Sequence, residues 1–390
     1  IIEDISFKKN YSELSYNSND FYVHLKDLFK LEAVGCKDWL TNKVDRCVGG
    51  KVAKQQCVGQ LQLPLNNCGV MALDYNGKDG IATSIGHSPI SGLIDPIAGS
   101  RNSIAEALTN IIWAPLKDNI SGVSLSANWM WPCKNKGEDS RLYEAVSAIS
   151  EFAIELGISI PTGKDSLSMT QKYNHREVSA PGTVIISAVA HCDDITRVIE
   201  PVFNSKFGNI YYINLSCDDY KLGGSSFAQI LGEIGKKTPT VKDSAFVVNV
   251  FNTIQELIRK DLIFAGHDVG SGGLITTIME MCFADNNIAA NIDLTAIGEK
   301  NSIKLLFSEN PGIVIQSKDE SIEEILDNED FQIFDFDGKS VSKDSVIVSK
   351  EFADVYKGDY AHFTLKEISE QPTTIIRAGK DSDDAINETV

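Results

Sequence analysis

Between Asp95 and Ile111 apolar residues recur every three or four positions, at Ile104, Ala107, Leu108 and Ile111, which predicts a helix with one buried face. Glu138 to Leu156 repeats the pattern with Leu142, Val146, Ile149, Phe152, Ala153 and Leu156, and Gly157 stands where a helix C-cap is expected. Three shorter apolar runs, Val58 to Leu65, Cys68 to Leu73 and Ile81 to Ile85, are separated by the turn formers Pro-Leu-Asn-Asn and Tyr-Asn-Gly-Lys-Asp-Gly and predict adjacent strands. Gly122 to Asn128 alternates as a half-buried strand does, and Thr183 to His191 is apolar and β-branched enough for a buried one. Strands and helices in that order predict an α/β (α+β) layered domain with a mixed or antiparallel sheet.

A second α/β domain is expected from about Asn209. Ile210 to Leu215 predicts a strand, Leu-Gly-Gly-Ser-Ser-Phe-Ala-Gln-Ile-Leu a glycine-opened helix, and Ala245 to Lys260 a longer amphipathic one. His-Asp-Val-Gly-Ser-Gly-Gly, residues 267 to 273, then feeds another helix, with Ser271 as its expected N-cap. Strands near Ala290, Leu305, Gly312 to Gln316 and Ser345 to Val348 and an acidic helix around Glu320 to Leu326 complete the expectation. The 390 residues thus divide into a linker with one short helix (1–34), two domains (35–205 and 206–350) and a C-terminal segment with a polar tail (351–390).

Composition narrows the classes. With 43% hydrophobic residues both domains can bury full cores, and no apolar run reaches the roughly 18 residues of a membrane span. The net charge of -18 is uneven: residues 1–200 hold 23 acids and 19 bases, residues 201–390 hold 31 and 17. Such a field attracts neither a nucleic-acid backbone nor an anionic membrane, so neither is expected as a partner. Eight cysteines without a Cys-x-x-Cys or Cys/His ligand cluster predict structural thiols in a reducing, cytoplasmic setting. An opening Ile1 and an unpatterned first stretch predict a piece of something longer.

Glu106 and Asn110 lie one helical turn apart, so a carboxylate and an amide oxygen point the same way, which suits Mg²⁺ that also holds phosphate. Read alone, the pair fits the wet side of an amphipathic helix better, and it is the company of the other polar and glycine-rich breaks that raises it. Gly163-Lys164-Asp165-Ser166 lacks the earlier glycine and spacer of a P-loop; it reads as an anion-binding turn or as a plain turn. The glycines at 270, 272 and 273 would let backbone N–H groups approach phosphate while Asp268 binds Mg²⁺, or would simply open a helix.

Taken in order, Asn-Asn-Cys-Gly-Val, Asp-Pro-Ile-Ala-Gly-Ser-Arg-Asn-Ser-Ile-Ala-Glu-Ala-Leu-Thr-Asn, Leu-Ser-Ala-Asn-Trp-Met, Gly-Glu-Asp-Ser-Arg-Leu-Tyr-Glu-Ala-Val, Ile-Pro-Thr-Gly-Lys-Asp-Ser-Leu-Ser-Met, Leu-Gly-Gly-Ser-Ser-Phe-Ala-Gln and Gly-His-Asp-Val-Gly-Ser-Gly-Gly-Leu resemble the large phosphoribosylformylglycinamidine synthases from about residue 25 to about residue 350. The resemblance implies the second half of a synthetase region built like aminoimidazole ribonucleotide synthetase, with an N-domain sheet followed by C-domain α/β layers. It implies a reaction in which ATP activates formylglycinamide ribonucleotide and glutamine-derived ammonia displaces phosphate, and an auxiliary Mg²⁺–nucleotide site holding ATP or ADP. Carried over by motif, Asn67, Glu106, Asn110 and Asp268 fall on metal positions, and Lys37 and Asn66 on phosphate- or nucleotide-binding ones, while Gly270, Lys164, Asp165 and Ser166 stand as anion-binding candidates on their local pattern alone. No catalytic residue is carried over. Asn67 stands where the family often has Asp, and Gly270 and Ser271 where it has Ser and Asp, which weakens metal retention. The implied partners are a preceding synthetase half, a glutaminase domain and nucleotides; a fragment inactive alone, pairing as a homodimer, follows as an expectation. A free-standing kinase or synthetase of the same superfold and a non-catalytic nucleotide-binding scaffold are the competing readings.

Overall fold

In the computed structural model the described residues are 7–35, 46–204, 210–284, 288–294, 297, 299–318 and 322, together with three later strands at 333–336, 362–366 and 374–376. Helices α1 (Phe21–Leu28) and α2 (Glu32–Gly35) precede a six-stranded sheet. Its strands are β1 (Val52–Lys54), β2 (Gly69–Ala72), β3 (Gly80–His87), β4 (Ser124–Met130), β5 (Ser159–Ser166) and β8 (Thr183–Cys192), in the order β1-β2-β3-β8-β4-β5. β4 and β5 run parallel and every other pair is antiparallel, the mixed sheet expected. A small hairpin, β6 (Thr170–Tyr173) with β7 (Arg176–Ser179), follows β5.

One face of this sheet is covered by α3 (Pro89–Ile94), α4 (Pro96–Ile111) and α5 (Glu138–Leu156). Asp95 begins α4 as its cap, accepting from Ile97 N at 2.9 Å and Ala98 N at 3.2 Å, with Pro96 at the first helical position where its missing N–H costs nothing. Gly157 closes α5 at φ +69°, as its position predicted. β3 alternates strictly between buried and exposed, which fixes which side meets α4.

One expected strand and one expected turn fail in this domain. Val58 to Leu65 is a turn with one bridge, Val58 to Leu63, because Gly59 and Gln62 take left-handed φ of +70° and +53°. Its place at the sheet edge goes to β1, in a stretch that reads as loop. Lys164, Asp165 and Ser166 belong to β5, an edge strand, rather than to a turn.

The second domain carries β9 (Ile210–Asn214), α6 (Ser226–Ile230), α7 (Ser244–Arg259), β10 (Ile263–Asp268), α8 (Gly273–Phe283), β11 (Ala289–Asp293), α9 (Ser302–Phe307) and β12 (Gly312–Ser317). β13 (Ile333–Phe336) joins an antiparallel sheet of order β10-β12-β9-β13, and β14 (His362–Lys366) and β15 (Thr374–Ile376) pair with β11. Leu305 sits in a helix, not a strand, since Asn301 accepts from Lys304 N and starts α9. Ser271 does not cap α8: Gly272 holds that position at φ +93°. Strand β10 passed unnoticed because His267 and Asp268 break its apolar run. Ser345 to Val348 and the acidic helix lie outside the described residues, apart from Ile322.

The domains share a core. Ile104, Leu108 and Ile111 of α4 belong to one apolar cluster with Val250, Ile254 and Leu257 of α7 and Ile313 and Ile315 of β12. Buried Gln255 closes the seam, accepting from Leu116 N at 2.7 Å and donating to Ile112 O at 2.6 Å, so two backbone groups keep partners away from water. The N-terminal stretch lies across both domains: Lys9 pairs with Glu138 at 2.6 Å, and Tyr16 OH accepts from Asn301 Nδ2 at 3.0 Å.

Candidate functional site

Four chain segments meet where α4, the end of β3, the end of β10 and the turn before β2 come together. Glu106 and Asn110, one turn apart, both face β3: Glu106 Oε2 accepts from His87 N at 2.6 Å, and Asn110 Nδ2 donates to Ile85 O at 3.0 Å. Asp268 closes β10 and is buried. Asn67 reaches it across 201 positions of sequence, its Nδ2 donating to Asp268 Oδ1 and lying 3.1 Å from His267 Nδ1. His267 is buried between two carboxylates, with Nδ1 at 3.0 Å from Asp268 Oδ1 and Nε2 at 3.0 Å from Glu280 Oε2.

The electrostatics follow from enclosure. Burial pushes the Glu106 carboxyl up to about 8 against the pull of the His87 N–H, and the neighbouring charges of Asp268 and Glu309 push the same way. Burial disfavours a charged His267, but its hydrogen bonds to Asp268 and Glu280 outweigh that and raise it to about 9.

Beside Glu106 opens a cavity of about 210 Å³, lined by His87, Asn102, Ser226, Gly270, Ser271 and Glu309 among others. Gly270 and Ser271 therefore stand at the site. The glycine turn serves a different partner from the one its sequence implied, because Glu309 Oε1 accepts from Gly272 N at 2.7 Å and from Ser226 N at 2.8 Å. A carboxylate of the chain itself sits on one of the backbone amides, that of Gly272, that the turn was expected to offer to phosphate. Burial raises Glu309, and those two N–H groups oppose the shift.

Among the described residues no group of three or more His, Cys, Asp or Glu side chains forms a metal cage. What the site offers is a pair of carboxylates, Glu106 and Asp268, with the Asn67 amide, whose buried Oδ1 has no hydrogen-bond partner. Hard oxygen donors with one left unpaired fit Mg²⁺ that takes its remaining ligands from water or phosphate. Asn66 also keeps an unpartnered buried Oδ1, with its Nδ2 donating to Gln55 O at 2.6 Å.

The other expected residues are placed differently. Lys164, Asp165 and Ser166 are on β5, with β4 and β8 between them and β3; Lys164 Nζ reaches only Ser166 Oγ, at 3.3 Å. Lys37 lies outside the described residues. Glu309, Asn102, His267 and Glu280 were not singled out from the sequence. For Glu309 the available signal was an acid set between the apolar Lys-Leu-Leu-Phe helix and the apolar Ile-Val-Ile strand.

Residues 36–191 match the FGAR-AT PurM_N-like domain, and residues 215–333 match the AIR synthase related protein, C-terminal domain. The probable phosphoribosylformylglycinamidine synthase, chloroplastic/mitochondrial, of Arabidopsis thaliana is 42% identical over 305 residues, which is 78% of this chain and 22% of that protein. The Homo sapiens phosphoribosylformylglycinamidine synthase is 38% identical over 304 residues, 77% of this chain and 22% of that protein. A solved structure of Thermotoga maritima PurL complexed with FGAR superposes with a TM-score of 0.58 at 11% identity, covering 95% of this chain and 56% of that one, a likeness of fold. The chain spans little more than a fifth of the length of these curated relatives. By its two consecutive domain matches and its identity to these enzymes, the chain belongs to the phosphoribosylformylglycinamidine synthase family and represents one part of it.

Proposed function

We propose that the chain is the second synthetase half of a phosphoribosylformylglycinamidine synthase. That enzyme would use ATP and glutamine-derived ammonia to convert formylglycinamide ribonucleotide to formylglycinamidine ribonucleotide in purine synthesis, and this half would contribute an auxiliary Mg²⁺–nucleotide site. The observation that carries the reading is that Glu106 lines a cavity at the junction of the two domains while Asn67 hydrogen-bonds Asp268, the residue just before the cavity-lining Val269, Gly270 and Ser271. Solved T. maritima PurL structures complexed with ATP and with ADP, at TM-scores of 0.56, support a nucleotide as the ligand class.

In this reading Glu106, Asp268 and the Asn67 Oδ1 hold Mg²⁺, with Asn110 one helical turn from Glu106 and Asn66 beside Asn67. The metal would offset the charge of the phosphates. The chain's own residues fix the ligands of the metal in place: His267 aligns Asp268, and the His87 N–H aligns Glu106. Turnover belongs to the assembly with the preceding half and the glutaminase. Free cysteines support a reducing compartment, taken here as the cytoplasm, and among the described residues no helix is long and apolar enough to cross a membrane.

A scaffold without catalytic duty is the second reading, and Glu309 favours it, since the amides of Gly272 and Ser226 are already filled. Thermal unfolding tests the site. ADP with Mg²⁺ raises the melting temperature, ADP with EDTA does not, and Glu106→Ala abolishes the shift. Equal stabilisation of wild type and variant would mean the nucleotide is held elsewhere.

A further inference from the structure

Glu106 and Glu309 line one cavity, and Asp268, itself buried, directly precedes Val269, Gly270 and Ser271 on the wall of that cavity. Acids gathered in a partly enclosed chamber need partners, whether a bound cation or donors of the chain. Here the chain supplies donors of its own. Asn67 Nδ2 donates to Asp268 Oδ1, and His267, anchored on its far side by Glu280 at 3.0 Å, meets the same oxygen at 3.0 Å. Asn67 is held in register by Asn66, whose amide is tied to Gln55 O. One end of the Asn67 amide is therefore committed to Asp268, while the other, Oδ1, is buried and unpartnered.

We propose that Asn67 is a lock that stands in for the divalent cation. Its amide N–H₂ holds Asp268 in place, so the site keeps its shape without metal, and Mg²⁺ enters only together with nucleotide phosphates, displacing Nδ2 from Asp268 and taking Oδ1 as a ligand. The proposal deepens the Mg²⁺–nucleotide reading and rests on it for the final step alone. An Asp at this position would lose the donor and add a carboxylate, leaving the chamber dependent on a cation.

The test is run without nucleotide, on the whole chain. Wild type melts at the same temperature in EDTA and in millimolar Mg²⁺, and calorimetry detects no saturable Mg²⁺ binding. Asn67→Asp melts lower in EDTA, by about 4 °C or more, and Mg²⁺ restores it. A wild type that loses stability in EDTA, or an Asn67→Asp variant indifferent to Mg²⁺, overturns the lock. Should Asn67→Asp fail to fold in EDTA, folding in Mg²⁺ supports the proposal; should it fold in neither, the wild-type calorimetry decides, with saturable Mg²⁺ binding overturning the lock and its absence supporting it. Failure of the nucleotide reading looks different: Mg²⁺–ADP then does nothing to wild type while the variant still answers to Mg²⁺ alone.

Discussion

Lys54 shows how far a single residue's behaviour is set by where the fold puts it. Its side chain is buried in the first sheet, and Nζ donates to Ile199 O. Burial lowers its pKa from the ordinary lysine value, against the weaker opposite pull of Cys68 and Glu200. The sign of the pH effect follows. Between the lowered folded value and the unfolded value near 10.5 the folded state binds fewer protons, so stability rises with pH across that window and the gain is complete above it. Urea denaturation from neutral pH to about pH 10.5 is therefore expected to show wild type gaining on Lys54→Met, at up to about 1.4 kcal/mol per pH unit. A constant difference would show that Lys54 stays charged in the fold. Nothing in the sequence marks this lysine, because its burial depends on a sheet edge formed with residues far along the chain. Glu106 and Asn110 were legible for the opposite reason: their four-residue spacing on a patterned helix is local.

At the scale of elements, the packing of β3 on α4 is the contact on which the site is built, since it brings His87 N to Glu106. Gly86 makes it possible. A Cβ added there would come within 2.2 Å of Ser103 O and 2.3 Å of Ala107 N, both backbone atoms of α4 that no side-chain rotation can move. Gly86→Ala is expected to cost about 3 kcal/mol or more and to weaken the Mg²⁺–ADP response, because α4 must back away from the strand. Gly157→Ala is the control: its φ of +69° carries strain, yet nothing lies within 4 Å of the added Cβ, so the loss stays near 1 kcal/mol with the ligand response intact. Equal losses in urea denaturation would show that close approach is not what Gly86 provides. α4 and α5 were readable from periodicity because each buries one regular face, and β3 and β8 from apolar, β-branched runs. Val58 to Leu65 misled because apolar composition says nothing about the left-handed φ values that fold it into a turn, and Leu305 because a short apolar run fits a buried helix and a strand equally well.

For the whole molecule, one face of the six-stranded sheet is packed under α4 and α5 while the other lies open. Met71, Leu73, Ile81, Ile85 and Val189 stand on that open side, each more than two fifths exposed, around a broad hollow of about 1000 Å³ whose lining is mostly apolar. Scattered exposed apolar residues need no explanation, but a contiguous patch of this kind is rare on a monomer and marks a contact surface. The acidic net charge of -18 does not prevent such pairing, because Met71, Ile81, Thr83, Ile85, Ser187 and Val189 bring no charge to the centre of the face. A second copy offers a matching uncharged face, and two identical faces close about a twofold axis. The expected result is a homodimer in dilute solution burying at least about 1,200 Å² in total. Light scattering checks it directly. Wild type should run near twice its 42.7 kDa, and Ile85→Glu, which puts a charge at the centre of the face without touching the packed side, should return it to the monomer mass. A monomer at high concentration, or a dimer unmoved by Ile85→Glu, would show that the open face is not where copies meet.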